Sequence, residues 1–418
     1  MRPPRLSLRR PFGAAFISLA AASPALAQES GITLYGLGSP IVESVGASGG
    51  TFARPADATD LMPGSAYATP APARRTRVGS NISNLGVRGE ERLGNGWGAF
   101  FQLETGFSLD QFNLTFPDRN SAVGVTGPWG RLQLGQWDTP FKTSTIAYGP
   151  MRVGITQDFP TLMSNPGFGV PVLTTQPGRV GGKADAAFDR RQGNSLQYWS
   201  PVAAGVQARL LYSVDEGRGA VVPGGPVIAP RIFGASLAWG PLGQQVGVSW
   251  ERHDDYFGLT QVAGSAAGTA SNPSSRDTAW KLFGETKVGV VRLAAFADRI
   301  EYLNRDATPG AIDRYRRDAV NVLVQPIVGA HRPWFTYTRA WAGTCRRVGG
   351  ASCSTTGLGA TQYTAGWLYA FSRRTEVYAV GQRLANRESS TYATLPPLAG
   401  TPAGVKYTGY GVGINHFF

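Results

Sequence analysis

Few residues of this 418-residue chain have the types and spacing that covalent or metal chemistry requires. Gly46-Ala-Ser-Gly-Gly50 matches the Gly-x-Ser-x-Gly pattern of a serine nucleophile, but it lies in a stretch of small residues. That pattern functions on a strand-to-helix turn with a histidine and an acid in reach. His253, His331 and His416 lack metal-ligand spacing,. We therefore expect no catalytic site, no metal and no cofactor, and the chain is not predicted to be an enzyme.

Residues 1–27 have the features of a secretory signal peptide. Four arginines precede the apolar run 12–22, and Ala25-Leu-Ala27 offers a small-x-small cleavage site,. As a transmembrane anchor the run is too short, because about eleven residues at ~1.5 Å each do not cross ~30 Å of hydrocarbon. Cleavage before Gln28 lowers the formal charge from +13 to +9. Export also makes nucleic acid an unexpected partner.

The two cysteines, Cys345 and Cys353, are eight positions apart in a stretch rich in Gly, Ser and Thr. In an oxidising compartment such a pair is expected to form a disulfide. Two free thiols are the alternative, and a metal site has less support because no histidine or second cysteine pair is near. A ring this short contributes roughly 2 to 3 kcal/mol, so it would shape a loop without deciding the fold.

Apolar residues recur at every second position of extended segments, with polar and charged residues between them. In 97–107 the odd positions are mostly apolar and the even ones include Glu104. In 206–214 Arg209 lies on the polar face, and Leu211 is the one apolar residue there. This periodicity predicts β-strands with one apolar and one polar face.

Turns and long connections alternate along the chain. Tight turns such as Leu93-Gly-Asn-Gly96 and Gly240-Pro-Leu-Gly243 are followed by long segments rich in Gly, Pro, Ser and Ala. Sixteen strands are predicted, at approximately 31–45, 78–93, 97–109, 119–128, 130–137, 193–200, 204–214, 231–240, 243–252, 278–288, 289–302, 315–325, 330–341, 361–371, 374–385 and 405–418. An even number of antiparallel strands near ~9 to 11 residues, with one short and one long rim, is typical of an all-β transmembrane barrel. Closure of the barrel satisfies every backbone amide in lipid.

A soluble β-sandwich or propeller would also alternate, but three features favour the barrel. Aromatic residues stand near strand ends of the apolar face: Trp199, Trp239, Trp250, Trp341 and Tyr369. The opposite face carries charges that a dry core would not accept and that a water-filled lumen would solvate: Arg88, Glu90, Arg92, Glu104, Arg209, Glu251, Lys281, Glu285 and Arg292,. The last strand ends in Phe418, on the same face as Val412 and Ile414.

Several segments carry a family resemblance. They are Gly31-Ile-Thr-Leu-Tyr-Gly36, Asn84-Leu-Gly-Val-Arg-Gly-Glu-Glu-Arg-Leu-Gly94, Phe101-Gln-Leu-Glu-Thr-Gly-Phe107, Gly130-Arg-Leu-Gln-Leu-Gly-Gln136, Arg191-Gln-Gly-Asn-Ser-Leu-Gln-Tyr198 and Val412-Gly-Ile-Asn-His-Phe-Phe418. Together they resemble the strands of the general trimeric porins of Gram-negative outer membranes, the sixteen-stranded diffusion channels.

The resemblance implies a homotrimer in the outer membrane, in contact with its lipid and lipopolysaccharide. Each barrel would hold a water-filled pore for small hydrophilic solutes and ions. The third extracellular loop would fold into the lumen, and residues 138–192 are the candidate. Phe418 would belong to the C-terminal assembly signal. The domain organisation is then a signal peptide, 1–27, and one porin barrel, 28–418.

For the pore wall we predict Arg88, Arg92 and Arg209, with Arg131, Arg190, Arg191 and Arg292 as further candidates nearer strand ends. Opposite them we place the loop acids Asp158 and Asp189, with Asp185 as another candidate. Two departures from the family stand out: Gln136 replaces an arginine of the fifth strand, and the acidic loop motif is not recognisable. The positive charge of chain and wall predicts a modest preference for anions.

Three other functions are compatible with parts of this pattern. A substrate-specific channel on the same barrel would show saturable, ligand-blocked conductance, whereas a general porin shows linear flux. An outer-membrane lipase or protease barrel would need a Ser/His or paired-acid site, which the sequence does not offer. A secreted β-rich adhesin would be independent of detergent.

Overall fold

The computed structural model describes residues 31–418 except 63, 68–69, 81, 110–115, 147–159, 169–185, 215–227, 242, 264–266, 268–273, 306 and 394–401; the predicted signal peptide lies outside this part. The strands are β1 (Gly31–Gly38), β2 (Ile41–Ser48), β3 (Arg75–Gly79), β4 (Asn84–Gly94), β5 (Trp97–Gly106), β6 (Ser121–Gly127), β7 (Gly130–Asp138), β8 (Arg191–Trp199), β9 (Val206–Val214), β10 (Arg231–Trp239), β11 (Gln245–Asp254), β12 (Ser274–Val288), β13 (Val291–Arg305), β14 (Ile312–Pro326), β15 (His331–Ala340), β16 (Thr344–Arg347), β17 (Ser352–Cys353), β18 (Ala360–Ala370), β19 (Thr375–Asn386) and β20 (Lys406–Phe417). The α-helices are α1 (Pro140–Ile146), α2 (Pro160–Met163) and α3 (Gly258–Ala263), and a 3-10 helix spans Gly64–Tyr67. Within these ranges no helix combines the length and apolar character needed to cross a bilayer.

The described strands form one antiparallel sheet that closes on itself. β1 pairs with β4 on one side and with β20 on the other, so the first and last strands meet. β1 and β2 are two parts of one wall strand, since β2 also pairs with β20 and continues beside β3. The break falls at Ser39-Pro40, where proline has no N–H to donate to a ladder.

Counting each interrupted strand once gives sixteen wall strands among the described residues. β3 and β4 form the second of them, and β16 with β17 is a hairpin attached to β14 beyond the end of β15. The predicted sixteen-stranded antiparallel barrel is therefore confirmed, including the alternation of tight turns with long connections.

The two faces of the wall are the reverse of those of a soluble protein. Outward apolar side chains are the exposed ones, with Ile32 at 73% and Leu134 at 64% of full exposure. Inward polar side chains such as Gln197 and Asn321 are buried. A folded protein tolerates such outward apolar surface where lipid covers it. The apolar faces therefore meet the bilayer and do not pack against one another.

Apolar side chains also fill part of the interior. Phe283, Phe296 and Trp334 point inward and form one cluster with Leu162 and Met163 of the third long connection. Because these contacts join wall and loop, the described parts of the loop, 139–146, 160–168 and 186–190, lie inside the barrel, as predicted. The loop divides the inner surface into a docked wall, the lumen face of β10–β18, and an open wall, the lumen face of β1–β9.

Candidate functional site

The third loop is fixed at its base where β7 ends and β8 begins. Thr139 caps α1, since its hydroxyl accepts the Lys142 N–H at 3.2 Å, and Pro140 occupies the first helical position, where its missing N–H costs nothing. Asp138 binds Lys142 at 3.0 Å and Arg191 at 3.3 Å. The buried carboxylate of Asp138 thus links α1, through Lys142, to the start of β8, at Arg191.

A lysine of the docked wall holds α1 inside the barrel. Lys281 is fully buried, and its Nζ donates to the Phe141 carbonyl at 3.0 Å and to the Thr145 hydroxyl. The ammonium also lies 3.7 Å from the centre of the Phe141 ring, a favourable cation–π distance,. The Phe141 carbonyl and ring and the Thr145 hydroxyl are therefore the partners of this buried ammonium.

An arginine of the docked wall holds α2 in the same way. Arg317 is 1% exposed, and its guanidinium donates to the carbonyls of Leu162 at 2.7 Å, Met163 at 2.6 Å and Asn165 at 2.9 Å. The Tyr392 hydroxyl donates to the Asn165 carbonyl at 3.1 Å. Burial raises the pKa of Tyr392 to about 12, so it remains a neutral donor.

These contacts correct one expectation about the lumen charges. Glu251, Lys281 and Glu285 do face inward, but each is buried at 7% exposure or less. Glu251 contacts His253 at 2.8 Å and Glu285 binds Arg292 at 2.8 Å. The expectation that water solvates them was wrong, because side chains and the folded loop cover this half of the wall.

The open wall keeps its charges accessible. Register places Arg88, Glu90 and Arg92 on one inward face of β4, and all three are exposed. The Arg88 guanidinium lies 5.1 Å from the Tyr35 ring, and Tyr35 donates to Glu104 at 3.0 Å. The predicted inward positions of Arg88 and Arg92 therefore agree with the register.

Two further arginines of the open wall flank one tryptophan. Arg131, Trp199 and Arg209 are directly paired across β7, β8 and β9. The guanidinium carbons lie 4.7 Å and 4.5 Å from the Trp199 ring centre. Arg131 also lies 3.8 Å from the Phe100 ring. Two like charges are thereby held close together by aromatic packing.

Trp199 was assigned to the outward aromatic girdle, and that assignment was wrong. Its register partners are inward, and its indole N–H donates to Gln197 at 3.2 Å inside the barrel. Trp239 and Trp341 do stand outward near strand ends, 60% and 40% exposed. Sequence position at a strand end did not distinguish the two faces.

The remaining predicted wall residues have other surroundings. Arg190 is 1% exposed and lies over the Tyr256 ring at 5.2 Å. Arg191 belongs to the clamp at the base of the loop, and Arg292 is paired with Glu285 near a short turn. Arg190, Arg191 and Arg292 therefore do not join Arg88 and Arg209 among the accessible arginines of the open wall.

The predicted acids do not form a described row opposite the arginines. Asp158 and Asp185 lie outside the described residues. Asp189 lies on the third loop close enough to Lys281 of the docked wall to interact with it electrostatically, and it is only 7% exposed. Its burial does not fit a carboxylate that lines open water.

Arg317 and Asp298 are two of the inward charges that the sequence did not single out; Glu43, Arg77 and Asp277 are others. Asp298 lies 3.6 Å from Arg317, and both are buried. The alternation of β14 did contain the signal, because Arg317 has the same parity as Asn321 and Leu323. The adjacent Arg316 obscured it.

The long-loop rim carries a cross-linked hairpin. Cys345 and Cys353 are paired positions of β16 and β17 with Cα atoms 5.5 Å apart, joined as a disulfide,. Arg347 of this hairpin binds Asp60 at 3.0 Å. A hydrogen bond from the Ser354 N–H, aided by Arg347, holds the pKa of Asp60 below its ordinary value. The hairpin thus holds the long connection between β2 and β3, through Asp60, against the rim of the barrel.

The barrel closes at Phe418. The backbones of Gly36 and Phe418 exchange hydrogen bonds at 3.1 and 3.2 Å. A Cβ at Gly36 would overlap the Phe418 ring and the Asn84 carbonyl. Glycine is therefore required where the terminal aromatic ring lies across the first strand.

No group of three or more potential His, Cys, Asp or Glu ligands occurs in the described part of the chain. The arrangement offers instead an aqueous passage between a wall of exposed arginines and a docked loop.

Comparison with known proteins gives the same architecture. A family model for Gram-negative porins matches residues 13–389. Outer membrane porin protein 32 of Delftia acidovorans is 25% identical over 347 residues, 81% of this chain and 86% of that protein. Major outer membrane protein P.IB of Neisseria gonorrhoeae is 35% identical over 74 residues, 17% of this chain and only 21% of that protein's length.

Solved structures share the fold at low identity. The anion-selective porin from Comamonas acidovorans has a TM-score of 0.65 at 20% identity, covering 93% of this chain and 100% of that one. OmpT of Vibrio cholerae in its trimer form has a TM-score of 0.57 at 14% identity, covering 94% and 100%.

Proposed function

The chain belongs to the Gram-negative porin family, and on this premise we propose that it forms a water-filled diffusion channel with a preference for small anions. The barrel lies in the outer membrane. We further propose that residues 1–27 are removed on export, that 28–418 form a single barrel domain, and that three copies assemble into a trimer. The described barrel supplies a passage and positioned charge, which passive diffusion requires, and no reacting group.

One observation carries the anion preference: basic residues outnumber acids on the open wall. By register and contact its charged side chains, apart from the Asp138–Arg191 pair at the base of the loop, are Arg75, Arg77, Arg88, Arg92, Arg119, Arg131 and Arg209, against Glu43, Glu90 and Glu104. The formal excess is four positive charges. Glu43 and Glu104 each bind an arginine of the same wall, at 2.6 and 2.5 Å, so the arginines set the sign of the local field.

The field of this wall acts on ions in the lumen beside it. Charges in water interact over about one Debye length, ~8 Å at physiological ionic strength. The loop docked on the far wall occupies part of the lumen and so narrows the passage. Anions are therefore concentrated beside the open wall and cations are depleted.

Reversal potentials in a salt gradient across a planar bilayer test the proposal. The protein is expected to pass chloride in preference to potassium, and Arg88→Glu with Arg209→Glu should shift the ratio toward cations. Arg383→Glu is the matched control, because it stands outward on β19 and should leave the ratio unchanged. A cation preference of the unmodified protein would contradict the proposal.

A second candidate function, a substrate-specific channel, is favoured by the packed Arg131-Trp199-Arg209 group. Two fixed guanidinium groups near one point would retain a solute with two negative charges. Conductance in a dicarboxylate salt would then saturate with concentration, whereas linear conductance would favour the general porin.

A further inference from the structure

The last described part of the third loop, residues 186–190, is held against the docked wall from several sides. We call this segment the returning arm, because it leads the chain back into β8. The Ala186 N–H donates to the Gln261 side chain of α3 at 3.1 Å. The Phe188 ring stacks on the His253 ring of the docked wall, with ring centres 4.5 Å apart. The position of the arm is therefore fixed by contacts that leave its last side chain out of account.

That last side chain, Arg190, is a buried guanidinium with unused donors. It is 1% exposed, and its Nε and Nη1 have no hydrogen-bond partner. The guanidinium carbon lies 5.2 Å from the ring centre of Tyr256. An aromatic face attracts a cation but does not accept the N–H groups that lie in the guanidinium plane. Arg190 therefore lacks the acceptors that a buried charge requires.

The acids just before this tyrosine in sequence are engaged with other partners. Glu251 contacts His253 at 2.8 Å, and Asp254 binds two arginines of β11 and β12 at 2.7 and 3.1 Å. Asp255 accepts two backbone N–H groups at 3.1 and 3.2 Å. Asp189, the neighbour of the buried guanidinium, forms no ion pair with it in the described part of the chain. The protein thus supplies no direct counter-ion to this arginine there.

From these observations we propose that Arg190 binds a small monoatomic anion, chloride, beneath the third loop. One edge of a guanidinium offers two N–H groups to a single acceptor. A monoatomic anion accepts both and has no further polar atom. A carboxylate or phosphate brings additional oxygens, for which the enclosed guanidinium offers too few donors. The site is distinct from the accessible arginines of the open wall, because Arg190 is covered by the protein.

Chloride at this site stabilises the docked loop. The Arg190 N–H donates to the Phe188 carbonyl at 3.0 Å, and the Thr139 N–H donates to the Arg190 carbonyl at 3.2 Å. The anion-binding residue is therefore joined to the returning arm and to the start of α1. A ligand that binds the docked loop alone increases its population in proportion to ligand concentration above the dissociation constant. The inference goes beyond the diffusion channel and does not depend on its ion preference.

Diffraction at the bromine absorption edge, from crystals of the folded protein grown in sodium bromide, locates the anion directly. An anomalous peak in contact with the Arg190 guanidinium is expected, and Arg190→Met should remove it. Arg231→Met is the matched control, because it removes the same charge from the start of β10, where the side chain is exposed and points outward; it should keep the peak. No peak at Arg190, or peaks at the open wall alone, would overturn the proposal.

Hydrogen exchange of the returning arm measures the same binding in solution. At constant ionic strength, chloride at ten times its dissociation constant should slow exchange of these amides roughly tenfold relative to gluconate. Arg190→Met should abolish the difference between the two salts, and Arg231→Met should retain it. Equal exchange of the unmodified protein in both salts contradicts the site, and this comparison decides even if Arg190→Met does not fold. A protein with the bromide peak and a cation preference contradicts the proposed channel selectivity alone.

Discussion

Removal of the Arg317 guanidinium should release the constriction loop while leaving the barrel closed. The side chain makes three carbonyl contacts with the end of α2 and an ion pair with Asp298, all buried. The β14 backbone pairs on both sides through its own ladder. Arg317→Met therefore removes loop contacts without removing a strand.

The magnitude follows from the burial of these partners. Breaking a buried ion pair on one side costs about 3 to 5 kcal/mol, because the remaining charge is uncompensated. At about 1.4 kcal/mol per factor of ten, this cost should lower the ratio of docked to released loop by about a hundredfold to a few thousandfold. Arg317→Met with Asp298→Asn should recover part of this loss, since no unpaired carboxylate remains.

Single-channel recording measures the effect. Arg317→Met is expected to increase both the open-channel current and its noise, and the double variant should be quieter than the single one. Arg316→Met is the matched control, because the adjacent side chain points out of the barrel and should leave the current unchanged. A folded Arg317→Met channel with the unmodified current and noise would refute the assignment of Arg317 as the anchor of the loop.

Three smaller perturbations test other contacts. Gly36→Leu should lower the temperature at which the folded barrel unfolds on a gel by overpacking against Phe418, a cost of about 1 to 3 kcal/mol, and Phe418→Ala should partly restore it. The folded state lowers the pKa of Asp60 from its ordinary value of 3.8, so Asp60 should keep its contact with Arg347 as pH falls through 3.8 and lose it only at lower pH. Protection from hydrogen exchange in the connection between β2 and β3, measured against the intrinsic exchange rate at each pH, should therefore persist at pH 3.8 and be lost below it. Cys345→Ser should make the hairpin more sensitive to protease with no change in barrel stability, and equal cleavage with and without reductant would contradict that role.

The strands could be predicted because one face of each meets lipid. Over 206–214 or 405–418 the alternation is nearly strict, and the structure follows it within a few residues. The prediction was short for β12, which begins at Ser274, not at 278. There Arg276 faces outward and Asp277 inward, so both faces are polar and the periodicity disappears above the bilayer.

The fold of the lumen could be predicted less completely. Parity assigned Lys281 and Arg88 correctly to the inner face, but it carries no information on what covers an inner position. Lys281 lies under Phe141, 140 positions away in sequence, and such a contact depends on how the loop docks. The β16–β17 hairpin was missed because its strands are short and lie in a Gly/Ser/Thr-rich stretch.

Arginine illustrates why the surroundings decide what an inward or outward charge does. Arg317 is 1% exposed, so its guanidinium is satisfied by loop carbonyls and Asp298, and its role is structural,. Arg88 faces an aqueous gap where its charge remains available to passing ions. Arg316, one residue from Arg317, has the opposite parity and points out of the barrel. Consecutive positions of one strand thus reach two different media, and a substitution at one should leave the function of the other intact.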